Sequence, residues 1–576
     1  MRRASNSFSK SQAKVFSPAF PPRSLRLGGC ILFCLLALAA KKPAPPPIPV
    51  TYSTPSAAFP GATTDITFDG AISGDAISMW TSFPAETSPL ASENNKPRFR
   101  LKLPATASVG IGAVRVTTTK GTSSLQLFMI DDLPTATRAT GPIPLKHPQE
   151  ISPPIAIDGA CEPLTADCFA FTAHKGQRIC IDAVAGRLGS KLDPVLRLLD
   201  SSGRELAFCD DAPGAGSDAR LAHTFAQDGR YLIELRDANY EGSPNHRYRL
   251  RIGDFPLVTA PFPLMCKRGS ETQIAFAAVG AVDPDRLQPV TLKFPADTQR
   301  ALLSVKYPPR NSIAQGSAFV SVIATDADVI IASQSKTIPI TIPSSINGHF
   351  AAPSAEHRFT FSAHQADHLS FRGQTRSLGS PCELFLQLLK PDGTPLFASK
   401  PTAPDEGTLD VTIPTDAEYT LSAQEVTRAS GPGIVYALEV ARVTPGFSLS
   451  VDAEKVDVSA GHTFKLKVKC TRREFDGPIT LSLEGLPSAC ELKNQTIPKG
   501  KTETDLEVKL LGPLSTTAPA AVPPLHFKIL GKATIANAES SSIASTLPAL
   551  KRLFPRLASS VPELDGLIAL SLPQAK

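Results

Sequence analysis

The chain has little of what marks helical bundles and aromatic binding platforms. Its 576 residues include one Trp and four Met, whereas there are 54 Pro and 37 Gly. No long stretch shows helical periodicity, and short apolar runs alternate with turn residues. This pattern excludes a helical bundle and predicts an all-β fold, and the length predicts roughly four to six domains.

The sequence also lacks the local motifs of common enzyme classes. It contains no G-x-S-x-G elbow, no H-E-x-x-H zinc helix, no Walker loop, no dinucleotide-binding glycine pattern and no C-x-x-C-H haem site. Each of these motifs places a nucleophile, a metal or a phosphate by local geometry. We therefore expect a protein that is not an enzyme and that has no certain cofactor.

An excess of charge of one sign is missing beyond the first 40 residues. The net charge is +6, but residues 1–40 hold six basic side chains and no acid. Subtracting these six from the 59 Lys and Arg leaves 53, which equals the number of Asp and Glu. A neutral remainder gives no electrostatic reason to bind a polyanion, so we expect no nucleic-acid partner.

The basic residues precede an apolar run, Gly28 to Ala40, that is too short to span a bilayer comfortably. The small-x-small pattern Ala37-Leu38-Ala39 is typical of a cleavage site. We interpret residues 1–39 as a secretory signal peptide and residues 40–50 as a stiff Pro-rich linker. An uncleaved anchor is the alternative. The cleaved chain is expected to have no membrane span and to be periplasmic, cell-surface or extracellular.

One motif occurs twice, and its two copies are 190 residues apart. The first copy consists of Phe169, Phe171, Leu188, Gly189, Ser190, Leu196, Leu198, Leu199, Gly203 and Leu206, which recur as Phe359, Phe361, Leu378, Gly379, Ser380, Leu386, Leu388, Leu389, Gly393 and Leu396. Further on, Tyr231, Tyr248 and Leu250 return 188 residues later as Tyr419, Tyr436 and Leu438. Because apolar and turn residues repeat, the motif indicates an architecture and no particular reaction.

Runs with period two, punctuated by Gly and Pro, divide the chain into small sandwiches. The predicted order is an immunoglobulin-like sandwich over 51–136, a jelly-roll-like repeat over 150–255, a second immunoglobulin-like sandwich over 256–343, a second repeat over 346–443, a third immunoglobulin-like sandwich over 447–540 and a loosely ordered tail over 541–576. A tail is expected because Pro555 breaks its weakly amphipathic segment.

The first repeat carries four separated motifs. They are the string from Leu188 to Gly203, the pair Asp210-Asp211, the turn Asp228-Gly-Arg-Tyr231 and the strand Tyr248-Arg-Leu250. Together they resemble the bacterial pre-peptidase C-terminal domain. The resemblance implies a jelly-roll-like sandwich of a kind found beside secreted peptidases and in exported proteins, often accompanied by immunoglobulin-type domains.

The second repeat is a degenerate copy of this pattern. Glu383 replaces Asp193, Lys400-Pro401 stand where Asp210-Asp211 would be, and Asp416-Ala-Glu-Tyr419 replaces the glycine turn. The apolar skeleton is kept while the polar positions change. We expect the two copies to share a fold and to differ at their surfaces.

Eight cysteines follow the predicted signal peptide, and an exported chain can oxidise them. Four fall in the first repeat, where three pairings are open: Cys161, Cys168, Cys180 and Cys209. Cys470 and Cys490 lie in one predicted domain and are a further candidate pair.

An acidic loop of the first repeat, from Cys209 to Asp218, is the candidate metal site. Short acidic loops supply the hard oxygens that calcium prefers, so Asp210, Asp211 and Asp218 are possible calcium ligands. The loop lacks the alternating spacing of a dedicated calcium loop. The alternative is that these carboxylates accept backbone N–H bonds in turns.

These observations predict an exported, non-catalytic binding or spacing protein whose partner is an unknown surface protein or polysaccharide. Recognition would use loops and sheet edges held on a rigid string of domains. The alternatives are a non-catalytic component of a secreted peptidase system and a carbohydrate-binding protein.

Overall fold

The computed structural model describes residues 51–278, 287–294, 300–305, 316–333, 336–400, 405–459, 461–486, 490–511, 525–557 and 562–571. Strands dominate these residues, and the predicted all-β class with several β-sandwiches is confirmed. No helix among them is long and apolar enough to cross a bilayer. The predicted signal peptide, 1–39, and nearly all of the linker, 40–50, lie outside the described residues.

The N-terminal sandwich packs two sheets face to face. Its strands are β1 (Thr51–Thr54), β2 (Ala57–Ala58), β3 (Thr63–Gly70), β4 (Ala76–Thr81), β5 (Glu86–Glu93), β6 (Lys96–Lys102), β7 (Gly110–Thr118), β8 (Gly121–Thr122) and β9 (Gln126–Ile130). The sheet orders are β1-β3-β6-β5 and β2-β9-β7-β4. Alternate side chains point to one face of a strand, so Ile66 and Phe99 meet in the core between the sheets.

The first repeat follows with two five-stranded sheets. Its strands are β10 (Thr135–Thr137), β11 (Gln149–Glu150), β12 (Ile155–Ala160), β13 (Asp167–Ala173), β14 (Arg178–Val184), β15 (Pro194–Asp200), β16 (Glu205–Cys209), β17 (Arg220–Thr224), β18 (Gly229–Asp237) and β19 (Arg247–Gly253). The orders are β10-β12-β19-β14-β17 and β11-β13-β18-β15-β16. The repeat begins at Thr135 and not at 150, because β10 pairs with β12. A three-residue strand is too short for a pattern to reveal.

The middle sandwich is smaller, and the second repeat reproduces the first. The sandwich has β20 (Val258–Phe262), β21 (Met265–Lys267), β22 (Glu271–Ala278), β23 (Val290–Lys293), β24 (Arg300–Val305) and β25 (Ala318–Thr325). The repeat has β26 (Val329–Ile331), β27 (Ile338–Pro339), β28 (Ser344–His349), β29 (Glu356–Ala363), β30 (His368–Gln374), β31 (Leu384–Leu389), β32 (Pro395–Ala398), β33 (Thr408–Thr412), β34 (Ala417–Glu425) and β35 (Val435–Arg442).

The second repeat has the same strand order as the first, β26-β28-β35-β30-β33 and β27-β29-β34-β31-β32. It begins at Val329 and not at 346, because β26 pairs with β28. The repeated phenylalanines and most of the repeated leucines are buried in both copies. Tyr231 and Tyr419 even make the same bond, since each hydroxyl donates to a carbonyl four residues earlier, at 2.8 and 2.7 Å.

The C-terminal sandwich takes in much of the predicted tail. Its elements are β36 (Gly446–Val451), β37 (Lys455–Asp457), β38 (Thr463–Arg473), β39 (Ile479–Glu484), β40 (Cys490–Lys493), β41 (Thr496–Ile497), β42 (Glu503–Leu510), β43 (Leu525–Ile535), β44 (Ala538–Ser545), α1 (Leu547–Leu553) and β45 (Ile568–Ser571).

The expectation of a loosely ordered tail over 541–576 is wrong for its described residues. The strand β45 pairs with both β37 and β43, and the helix α1 buries Leu550 and Leu553. Pro548 stands in the first turn of α1, where its missing N–H costs no hydrogen bond. Pro555 lies beyond the end of the helix and therefore does not interrupt it.

Candidate functional site

Asp218, one of the three predicted calcium ligands, is fully buried and already bonded. Its carboxylate accepts the backbone N–H groups of Ala185, Gly186 and Arg187 at 3.1, 2.6 and 3.2 Å. It also accepts from Arg187 Nε at 2.6 Å. Its role is therefore to hold the 3-10 turn Gly186–Leu188 in place, which is the turn-capping alternative.

Asp210 and Asp211 lie on the exposed part of the same loop. Asp211 donates its backbone N–H to Asp210 Oδ1 at 2.8 Å. Partial burial, together with the charges of Asp193 and Asp210, raises the pKa of Asp211. The structure thus brings these three aspartates together and separates Asp218 from them. Across the described ranges no group of three or more His, Cys, Asp or Glu is arranged to hold a metal ion, and calcium binding at Asp210 and Asp211 stays a prediction.

A buried network of four aspartates and four arginines links the first repeat to both of its neighbours. Each side chain is at most 13% exposed. The members are Asp131, Asp158, Asp182, Asp218, Arg187, Arg220, Arg249 and Arg251. Buried charges are stable only when they are paired and hydrogen-bonded, so the network fixes the groups that carry it.

Asp131 is the centre of this network. It directly follows β9 of the N-terminal sandwich, and it accepts from Arg249 Nε at 2.7 Å and from Arg251 Nη2 at 2.9 Å. Arg251 also donates to the carbonyl of Ser317, beside β25 of the middle sandwich, at 2.7 Å. Burial acts to raise the pKa of Asp131, but the two guanidinium charges outweigh it and lower the pKa. One carboxylate therefore ties three domains together.

One position of the repeat contacts the preceding sandwich in both copies. Asp158 accepts from the backbone N–H and the hydroxyl of Ser56, at 2.8 and 2.7 Å. Its counterpart Asn347, one strand position before a matching glycine, accepts the backbone N–H groups of Leu264 and Met265 at 2.9 and 3.0 Å. Both side chains are at most 5% exposed. Each sandwich and the repeat that follows it thus form a pair with the same docking.

The C-terminal sandwich contacts the N-terminal one. Arg115, 2% exposed, pairs with Glu454 at 2.5 Å. The backbone N–H of Thr122 donates to Ser571 Oγ at 3.2 Å, and the ring centroids of Trp80 and His526 are 4.6 Å apart. Sequence reasoning missed these contacts, because no local pattern relates residues more than 300 positions apart.

The predicted disulfides of the first repeat are not formed, and all eight cysteines of the described chain are free. Cys168 lies on β13 and Cys180 on β14, which belong to different sheets. Cys180 packs with Leu133 and Phe255, outside the core that holds Cys161. Burial, with a smaller contribution from nearby carboxylates, raises the pKa of Cys168 to about 12.

The predicted pair Cys470 and Cys490 is also open. Cys490 lies opposite Leu510 at one end of β42, whereas Cys470 follows Lys469, which lies opposite Glu503 at the other end. Seven residues of strand correspond to roughly 23 Å. A disulfide requires Cα atoms within about 7 Å, so this pair cannot be bridged.

Two histidines at matching turns of the repeats have a carboxylate beside them that the sequence does not reveal. His174 Nδ1 lies 3.8 Å from Asp228 Oδ1, and His364 Nδ1 lies 3.6 Å from Asp416 Oδ2. All four side chains are more than 70% exposed. Such exposed pairs contribute little energy and fit solvated turns.

A serine, a histidine and a glutamate meet in one turn of the first repeat. Ser243 Oγ lies 2.9 Å from His246 Nδ1, and His246 Nε2 lies 3.5 Å from Glu241 Oε2. The same hydroxyl accepts the backbone N–H of Asn245, and Ser243 donates its own N–H to the carbonyl of Cys161. These bonds close the turn and satisfy the buried imidazole.

Comparison with known proteins gives partial matches. No family model matches the chain. A probable subtilase-type serine protease of Deinococcus radiodurans is 37% identical over 79 residues, or 14% of this chain. The match spans 11% of the length of that relative.

Among solved structures, the pre-peptidase C-terminal domain of a Bacillus anthracis collagenase is 17% identical. The match covers 18% of this chain and 92% of that one, with a TM-score of 0.15. A periplasmic lysozyme inhibitor of Aeromonas hydrophila is 15% identical over 20% of this chain and 100% of that one, with a TM-score of 0.16. Part of the chain is thus similar to a pre-peptidase C-terminal domain, as the sequence motifs suggest.

Proposed function

We propose that the chain is an exported, non-catalytic protein that binds and spaces partners at the cell surface or in the periplasm. The observation that supports this most is the repeated docking of a sandwich onto a repeat through Asp158 and Asn347. Buried polar contacts of this kind hold neighbouring domains in a fixed geometry. A fixed geometry suits a scaffold that presents loops to a partner.

The cost of the junction supports the same role. Eight charged side chains are removed from water where the N-terminal sandwich, the first repeat and the middle sandwich meet. Such networks contribute more to a defined arrangement than to net stability. A chain that selects one domain arrangement at this expense is well suited to hold binding surfaces at set distances.

Two measurements test the proposal. Osmotic-shock fractionation of producing cells should recover the chain outside the cytoplasm. The purified chain should release no product from a panel of peptide and ester substrates. Hydrolysis that a single substitution, such as Ser243→Ala, abolishes would overturn the non-catalytic role, and retention in the cytoplasm would overturn export.

A second candidate is a non-catalytic component of a secreted peptidase system. It is favoured by the 79-residue similarity to a probable subtilase-type protease. In that case the chain should raise the rate of a co-expressed secreted peptidase on protein substrates when it is added in trans. An unchanged rate across a concentration series would exclude this candidate.

A further inference from the structure

The two sandwich-plus-repeat pairs correspond residue by residue, so one junction can be compared with the other. In the sandwiches the shared positions are 208 residues apart, namely Pro55 and Pro263, Gly61 and Gly269, Ile66 and Ile274, and Phe68 and Phe276. In both, a short strand pairs in parallel with the last strand, β2 with β9 and β21 with β25. This register places Gln126 at the position of Val320.

In the second pair the junction is closed by apolar side chains. A buried cluster joins the middle sandwich to the second repeat, and its members are Ala260, Leu264, Met265, Leu378, Val435 and Ala437. Each is at most 8% exposed. This fold can therefore fill the junction with an ordinary apolar core.

In the first pair the same junction is an open cleft with a polar lining. Its empty volume is about 640 Å³, within the range of small-molecule sites, roughly 300–1,000 Å³. Four lining residues stand where the second pair has smaller or apolar ones: Tyr52 for Ala260, Gln126 for Val320, Asn245 for Gly433 and Arg247 for Val435. Leu188 and Phe554 contribute to an apolar wall.

Two neutral polar groups in the cleft have no hydrogen-bond partner within the described part of the chain. They are the hydroxyl of Thr51, which is 4% exposed, and Oε1 of Gln126. Gln126 Nε2 donates to Ser53 Oγ at 2.7 Å, which holds the amide and leaves its oxygen as an unused acceptor. Buried polar groups are nearly always bonded, so unpaired ones at a cleft mark a place for a bonding partner.

An aromatic ring and a guanidinium lie at the same cleft. Arg247 stacks over the ring of Tyr52 at 4.2 Å and donates to the hydroxyl of Thr54 at 3.1 Å. The stack holds both side chains in position. The remaining guanidinium N–H groups are donors, so the cleft offers a donor, an acceptor and a hydroxyl beside apolar walls.

We propose that this cleft binds a single sugar unit, the end of a glycan or a free monosaccharide. The inference deepens the proposed binding role and rests on it. Sugar hydroxyls both donate and accept, so they match the unpaired hydroxyl of Thr51 and the unpaired carbonyl of Gln126. The C–H face of a sugar ring packs against side chains such as Leu188 and Phe554. The second pair lacks these groups and binds no sugar.

Isothermal titration of the full chain with glucose, galactose, N-acetylglucosamine and glucuronate tests this proposal. At least one sugar should bind, and Gln126→Val, which installs the residue found at Val320, should weaken it about tenfold through the lost hydrogen bond. Arg247→Val should weaken it as well. The matched control is Gln273→Val, the same substitution on an exposed strand of the middle sandwich, and it should leave the affinity unchanged.

Three outcomes would overturn the proposal. They are no binding of any of the four sugars, binding that Gln126→Val leaves unchanged, and a crystal of the sugar-soaked chain that shows only water in the cleft. Should Gln126→Val fail to fold, Tyr52→Ala, which installs the residue at Ala260, takes its place with the same expected loss. The binding role itself would survive these outcomes if the chain still bound to cell surfaces.

Discussion

Replacing Asp131 by Asn should destabilise the N-terminal sandwich strongly. The substitution keeps the shape of the side chain and removes the charge that Arg249 and Arg251 share, and these are 0% and 1% exposed. Arg249 would keep Asp158 at 2.8 Å, but Arg251 would keep only a carboxylate at 3.7 Å and the Ser317 carbonyl. Removing one partner of a buried ion pair costs about 3–5 kcal/mol.

Urea unfolding followed by tryptophan fluorescence measures this effect. Trp80 is the one Trp of the chain and lies on β4 of the affected sandwich. With a slope of about 2 kcal/mol per molar urea, the midpoint should fall by about 2 M. The control is Asp65→Asn in the same sandwich, whose exposed pair with Arg100 at 2.7 Å contributes little. A midpoint shift for Asp131→Asn no larger than that of the control would refute the reasoning.

Three further outcomes are expected. Burial, with a smaller effect of His349, lowers the pKa of His357 to about 4; since the unfolded histidine titrates near 6.5, stability should fall by about 2 kcal/mol as the pH drops from 7 to 4.5, and calorimetry of His357→Gln should show a smaller drop. Gly379→Ala should lower the melting temperature more than Gly393→Ala, because both glycines have positive φ (85° and 81°) but only at Gly379 would a Cβ meet the Thr259 carbonyl oxygen, at 2.4 Å, and equal losses would contradict this contact. Non-reducing mass spectrometry should find no linked pair among the eight described cysteines, whereas any cross-linked peptide would contradict the arrangement.

The repeat architecture was predictable because its signal is local and periodic. Residues such as Phe169 and Phe171 alternate along one strand, and their copies at Phe359 and Phe361 occupy the same core positions. Period two and turn residues suffice to predict such strands. The short strands β10 and β26, which begin the repeats, carry too few residues for any periodicity.

The junctions could not be predicted, because their partners are far apart in sequence. Asp131 and Arg249 are 118 positions apart, and a lone Asp or Arg on a strand reads as a solvated residue. Asp218 was singled out as a metal ligand from its loop, although its carboxylate turns inward to Arg187. One signal was within reach: the 208-residue spacing of Pro55 and Pro263 shows that the sandwiches repeat too.

Equilibrium binding of the labelled, purified chain to intact producing cells tests the binding role most directly. The proposed role predicts a saturable isotherm that unlabelled chain competes away, since a defined set of surface partners is finite. Asp131→Asn should weaken this binding where the arrangement of the domains matters for recognition. Binding that never saturates, or no binding above that of an unrelated protein of similar charge, would contradict the proposed function.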